Sequence, residues 1–98
     1  MGLLVEYTLK DASDTGAQAI AMKALCDGLK QVTGRGFSYQ GFSSDDPTKF
    51  FGVLQFDSDD EKQRFLDSDA FKIYQEGARD RLVGPPVTTS IKGTGSTL

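Results

Sequence analysis

Apolar and polar side chains alternate from residue 3 to residue 10. Leu3, Val5, Tyr7 and Leu9 share one side and Leu4, Glu6, Thr8 and Lys10 the other, the period of a strand. Asp11 to Gly16 is turn chemistry, with Asp14 or Thr15 placed to cap a helix. The spacing then lengthens to three and four. Ala17, Ala21, Ala24/Leu25, Gly28/Leu29 and Val32 predict a helix over residues 17–32, stopped by Gly34, whose small residues let it approach a sheet closely. Alternation returns at residues 36–42 and, most strongly, at 49–56, and the turn around Pro47 makes these two strands an antiparallel hairpin. Ser58 and Glu61 form a capping box that opens a helix running to about Leu82, with a jog at residues 67–69 and an inward stripe of Phe71, Tyr74, Ala78 and Leu82. Gly84-Pro85-Pro86 ends it, and residues 87–92 are a last strand. The order β-α-β-β-α-β predicts an α+β fold of the ferredoxin-like kind. It is a four-stranded antiparallel sheet with two helices on one face, a single domain over residues 1–93 with a flexible tail at 94–98.

Two helices cover only one side of such a sheet. Phe50, Gly52, Leu54 and Phe56 would face them, while Phe51, Val53 and Gln55 point the other way, as do Ser38, Gln40 and Phe42 opposite Phe37 and Tyr39. Each large apolar side chain left in water forgoes about 1.5–3 kcal/mol of burial. The pattern therefore predicts a homodimer that places sheet against sheet, a dimeric α+β barrel, with Glu6, Thr8, Ser38, Gln40, Gln55, Thr88 and Ser90 as its polar lining.

Composition narrows the chemistry. The chain has 98 residues, fourteen acidic and eleven basic, for a net charge of −3. Its Lys and Arg are scattered among carboxylates, which argues against nucleic acid. No apolar run of roughly 18 residues predicts a membrane helix, and no leader segment is evident, so a cytoplasmic protein is expected. Cys26 is the lone cysteine and lies within the helical apolar pattern, where a buried thiol is expected. With no histidine, Ser–His and Cys–His nucleophiles and a nitrogen–sulfur zinc site are excluded within one subunit. The acidic run from Asp57 to Glu61 lacks the glycine of a calcium loop, and Gly34-Arg35-Gly36 precedes a strand, so it is a turn and no phosphate cradle. No metal and no cofactor is expected. Glu6 is the one weak catalytic candidate: dry, it would be a base, and the alternative pairs it with Lys92 or Lys10.

The strand exit Phe56-Asp57-Ser58, the run Leu66-Asp67-Ser68-Asp69-Ala70-Phe71-Lys72-Ile73-Tyr74-Gln75-Glu76, and Leu82 together resemble the antibiotic-biosynthesis-monooxygenase-like proteins of the dimeric α+β barrel superfamily. The likeness spans most of the chain in element order and residues 50–82 in motif. It implies a ferredoxin-like fold, a homodimer, and a cavity between sheet and helices that in relatives takes aromatic polyketides, quinones or haem, or nothing known. This chain departs from the pattern. Many relatives carry Trp where it has Phe56 and His where it has Phe65 and Ala70, so the positions most linked to catalysis or haem ligation have no counterpart. The expectation is an uncharacterised dimeric barrel protein that binds a small, largely apolar or aromatic molecule through Tyr39, Phe51, Val53, Gln55 and Tyr74. The alternative is a cofactor-independent monooxygenase or isomerase in which Glu6 or a tyrosine handles the proton.

Overall fold

Residues 1–97 are described by the structure, a computed structural model. Four strands, β1 (Gly2–Thr8), β2 (Phe37–Ser43), β3 (Lys49–Phe56) and β4 (Val87–Ile91), form one antiparallel sheet in the order β2-β3-β1-β4. Three helices, α1 (Thr15–Leu29), α2 (Asp59–Asp67) and α3 (Asp69–Arg81), cover one side, and a short 3-10 turn at Ala12–Asp14 leads into α1. Residues 94–97 of the expected tail carry neither strand nor helix, and Leu98 lies outside the described residues. No helix among the described residues is long and apolar enough to cross a membrane.

The single expected helix over residues 58–82 is two helices, broken at Ser68. Ser68 has extended backbone angles (φ −64°, ψ 145°), so it closes α2 and caps α3 at once. Its Oγ donates to the Phe65 carbonyl at 2.7 Å and accepts from the Phe71 N–H at 3.2 Å. Because one hydroxyl serves both helix ends, Ser68→Ala is expected to cost about 1–2 kcal/mol, read as a lower urea midpoint at unchanged m-value. The capping box at α2 is half formed. Glu61 N–H donates to Ser58 Oγ at 3.3 Å, but the Glu61 carboxylate reaches away from Ser58, accepting from the Gly36 N–H and from Arg64. Those contacts, the Gly36 hydrogen bond foremost, hold its carboxyl below the usual carboxylate range. Glu61 thereby ties the start of β2 to the start of α2.

The apolar stripe of α1 runs through Gln18, Met22, Leu25 and Leu29, with Ala17 and Ala24 in water. The expected stripe is thus one residue out of phase at its N-terminal end, because a fully buried glutamine occupies a position that pattern alone reads as polar. The small residues of α1 admit a neighbouring helix more than the sheet: a Cβ at Gly28 would stand 2.7 Å from the Ala70 Cβ of α3. The core between the layers is aromatic, built on Tyr7, Phe37, Phe50, Phe56, Phe65 and Tyr74.

Register fixes what each sheet face carries. Leu4 pairs with Val53 and Thr89, Glu6 with Phe51 and Val87, and Gly2 with Gln55 and Ile91, all on the side away from the helices. Thr88 and Ser90, expected on that open face, pair with Val5 and Leu3 on the helix side. The Val87–Ile91 segment has little alternation of its own, so only pairing with β1 decides its parity. The open face is consequently more apolar than anticipated. Leu4, Phe51, Val53 and Ile91 are half-buried there, and Phe42 and Val87 are exposed.

Candidate functional site

Between the sheet and the α2–α3 pair lies a cavity of about 570 Å³. Its floor is Leu3, Val5 and Tyr7 of β1 with Leu54 of β3, the even-and-odd phasing that puts these side chains on the helix side. Phe65 and Phe71 line the inner wall, and Tyr74 and Ala78 follow along α3. The extended backbone at Ser68 separates α2 from α3, and the small Ala78 lines the cavity. On the open side Gly84, Pro85 and Pro86 hold the α3–β4 connection as a rim, joined by the exposed Gln75, Arg79 and Thr88. The volume suits a small organic molecule.

A chain of aromatic rings runs along the inner wall. Tyr39 stacks on Phe65 at 5.4 Å between centroids, Phe65 meets Phe71 at 4.7 Å, and Tyr74 meets Tyr7 edge to face at 5.8 Å. Their hydroxyls form the polar part of the core. Tyr7 Oη and Tyr39 Oη share a hydrogen bond of 2.9 Å, and Gln18 Nε2 donates to Tyr74 Oη at 2.7 Å. Gln18 Oε1 in turn accepts from Arg81 Nε at 3.1 Å. Arg81 Nη2 is buried with no hydrogen-bond partner among the described residues.

Burial raises the pKa of all three tyrosines above the ordinary phenol value. At Tyr7 the hydrogen bond to Tyr39 opposes the shift, and at Tyr74 the Gln18 bond and the Arg81 charge oppose it. At neutral pH they are neutral phenols and do not serve as bases. A phenol raised in the folded state keeps its proton where the unfolded chain has lost it. Its contribution to stability is complete below pH 10.0, the ordinary value, and is lost as pH rises beyond it. Tyr7, Tyr39 and Tyr74 are the only tyrosines in a chain without tryptophan. The ultraviolet titration should therefore show almost no tyrosinate until a single cooperative alkaline unfolding releases all three. A separate, reversible tyrosinate step near pH 10 would contradict it.

The residues nominated from the sequence fall into two groups. Tyr74 lines the cavity, and Tyr39 reaches across Gly52 to Tyr7 from a shallower groove beside α1, where burial also pushes the Cys26 thiol up. Phe51, Val53 and Gln55 lie on the opposite face of the sheet, which strand alternation keeps a full layer away from Tyr74. Glu6 is on that open face too. Its partner is Lys49, whose Nζ stands 3.1 Å from Glu6 Oε1 and 2.9 Å from Thr8 Oγ1, in place of Lys92 or Lys10. No carboxylate lines the cavity among the described residues, and no three His, Cys, Asp or Glu side chains gather there to hold a metal. Leu3, Val5, Phe65 and Ala78 had no chemical mark in the sequence. Their signal was position alone: helix-side parity in β1 and the inward stripes of α2 and α3.

The chain matches no protein-family model, and no curated protein sequence matches it. Solved structures do. An antibiotic biosynthesis monooxygenase superposes with a TM-score of 0.81 at 9% identity, covering 96% of this chain and 98% of its own. A protein of unknown function from Nitrosomonas europaea gives 0.80 at 15% identity, with 99% and 91% covered. Rv0793 from Mycobacterium tuberculosis gives 0.78 at 14%, with 99% and 97% covered. The chain has the antibiotic-biosynthesis-monooxygenase-like, ferredoxin-like fold; at these identities the likeness carries the fold and nothing about the reaction.

Proposed function

We propose that this chain, built on the antibiotic-biosynthesis-monooxygenase-like fold, binds a small, largely apolar or aromatic molecule between its sheet and its α2–α3 pair. The observation that carries the reading is the unfilled apolar cavity of about 570 Å³, walled by aromatic rings. The tyrosines of its lining, Tyr7 and Tyr74, remain protonated at neutral pH and hold their hydroxyls in bonds to Tyr39 and Gln18, so they do not abstract a proton. Binding is favoured over proton-transfer chemistry because Glu6, the carboxylate nominated as a base, sits across the sheet in an ion pair with Lys49.

Thr88→Trp tests the proposal at little risk to the fold, since Thr88 is exposed on an edge strand and its side chain faces the cavity. Its indole should occupy the mouth and weaken binding of uncharged phenylnaphthylamine by more than about tenfold, which corresponds to losing one buried ring's worth of contact. Unchanged dye binding in a folded Thr88→Trp variant would sink the reading.

The same proposal includes a second copy of the chain over the open sheet face. Support comes from Leu4, Phe51 and Val53 lying half-buried there beside exposed Phe42 and Val87, an apolar surface interrupted by the Glu6–Lys49 pair. Sedimentation should give twice the chain mass, and Val53→Glu, which sets a charge in the middle of that face, should give the single chain mass with an unaltered far-ultraviolet spectrum. A single-chain mass for the unaltered protein at high concentration would refute the pairing while leaving the cavity reading standing.

A further inference from the structure

We infer that the molecule held in this cavity is amphipathic, an apolar body carrying an anionic head (a carboxylate or sulfonate) that meets Arg79 at the mouth. The inference rests on the reading that the cavity takes a small apolar molecule, and adds which end of that molecule faces out and what charge it bears.

Four features of the lining converge on it. The walls and floor are apolar, while the polar side chains of the lining that remain open to water, Gln75, Arg79 and Thr88, all stand at the rim. Arg79 is the one charged side chain of the lining, and among the described residues no carboxylate lines the cavity beside it. That is a local selection, because the chain as a whole is negative, at −3, and gives no general attraction for anions.

Arg79 is also unengaged. Lys23, Lys49 and Arg64 each hold a carboxylate within ion-pair distance, at 2.8, 3.1 and 3.0 Å. Arg79 holds none among the described residues, although Glu76 and Asp80 are its neighbours along α3. Its five N–H donors form a rigid fork that matches a carboxylate or sulfonate edge. Gln75, one turn earlier on α3, and Thr88 on β4 add an amide and a hydroxyl that have no side-chain hydrogen bond among the described residues.

Geometry then sets the orientation. A charge carried to the cavity floor would leave water for an apolar environment that holds no cation, at a cost of several kcal/mol. A charge at the rim keeps its hydration and gains the guanidinium, while the body replaces water against Leu3, Val5, Phe71 and Tyr74. An uncharged molecule would fill the same walls and leave Arg79 unused; a cationic one would meet repulsion at the mouth.

Two dyes of the same body separate these cases: anilinonaphthalene sulfonate and its uncharged parent phenylnaphthylamine. Unaltered protein should bind both, the sulfonate more tightly. Arg79→Gln should weaken the sulfonate by about tenfold, as loss of a charge-assisted hydrogen bond does, and leave the uncharged dye within about twofold. Arg79→Lys should recover part of the loss, and Arg35→Gln, a cation outside the cavity lining, should change neither dye. Equal binding of the two dyes by unaltered protein overturns the inference, as does an Arg79→Gln variant that weakens both alike or neither. If instead neither dye binds, or both bind undiminished to Thr88→Trp, it is the cavity reading that has failed, and the inference falls with it.

Discussion

Gly52→Ala is expected to destabilise the protein by about 2–4 kcal/mol, an unusually large cost for adding one methyl group. Gly52 sits in the middle of β3, between Gly41 of β2 and Val5 of β1. A Cβ there would lie 2.2 Å from Tyr39 Oη and 2.7 Å from its Cζ. The Tyr39 ring lies across Gly52 because that is the path from β2 to the Tyr7 hydroxyl, 2.9 Å away. Displacing it breaks that hydrogen bond, strands the Tyr7 oxygen in the core, and disturbs the 5.4 Å stack on Phe65. Overpacking of this kind costs about 1–3 kcal/mol, and an unsatisfied buried hydroxyl about the same. Urea unfolding measures the sum. Tyr39→Phe in the same background removes the atom in closest conflict and should recover part of the loss, so the two changes together must cost less than their separate effects added. Strict additivity would mean that Tyr39 does not lie over Gly52.

Gln18→Leu is expected to cost about 2–4 kcal/mol although it replaces a polar residue in the core by an apolar one of similar size. Gln18 is fully buried and joins two segments that are remote in sequence, donating to Tyr74 Oη and accepting from Arg81 Nε. Leucine removes both bonds and leaves the guanidinium, whose Nη2 is already without a partner among the described residues, with no acceptor for Nε as well. Gln18→Glu separates the two losses. It keeps an acceptor for Arg81, adds an opposite charge beside it, and lets the Tyr74 hydroxyl donate where it formerly accepted. At neutral pH its urea midpoint should stand well above that of Gln18→Leu. Equal midpoints for the two variants would show that the Arg81 contact contributes nothing.

Both results concern residues that sequence reading passed over or read differently, and the reason is physical. Local periodicity sees one segment at a time. It finds β1 and β3 because their side chains alternate, finds α2 because Ser58 and a run of carboxylates suit a helix start, and finds the two-sided sheet because Phe51 and Val53 stand where water-facing residues should be. It cannot see that a glutamine has partners 56 and 63 residues away, so it runs the N-terminal end of the α1 stripe through Ala17 and Ala21 instead of Gln18 and Met22. Nor can it tell that Thr88 faces inward, because β4 takes its parity from β1.

The candidate site divides along the same line. Tyr74 was legible as an inward position of a helix, and it does line the cavity. Phe51, Val53 and Gln55 were legible as an open apolar face and could not also share a cavity with Tyr74, since successive residues of a strand point to opposite sides. Glu6 was visible as an isolated carboxylate, but its ion pair with Lys49, 43 residues on, depends on the β1–β3 register.

The order of the four strands along the chain, the ferredoxin-like α+β class and the second apolar sheet face were thus determined by the chain alone, because each follows from spacings within a few residues. The cavity, its rim with Arg79, the tyrosine–glutamine–arginine chain and the clearance above Gly52 were decided only in three dimensions. Each is the meeting of side chains from segments far apart, and pairing register and the break at Ser68 are what bring those segments together.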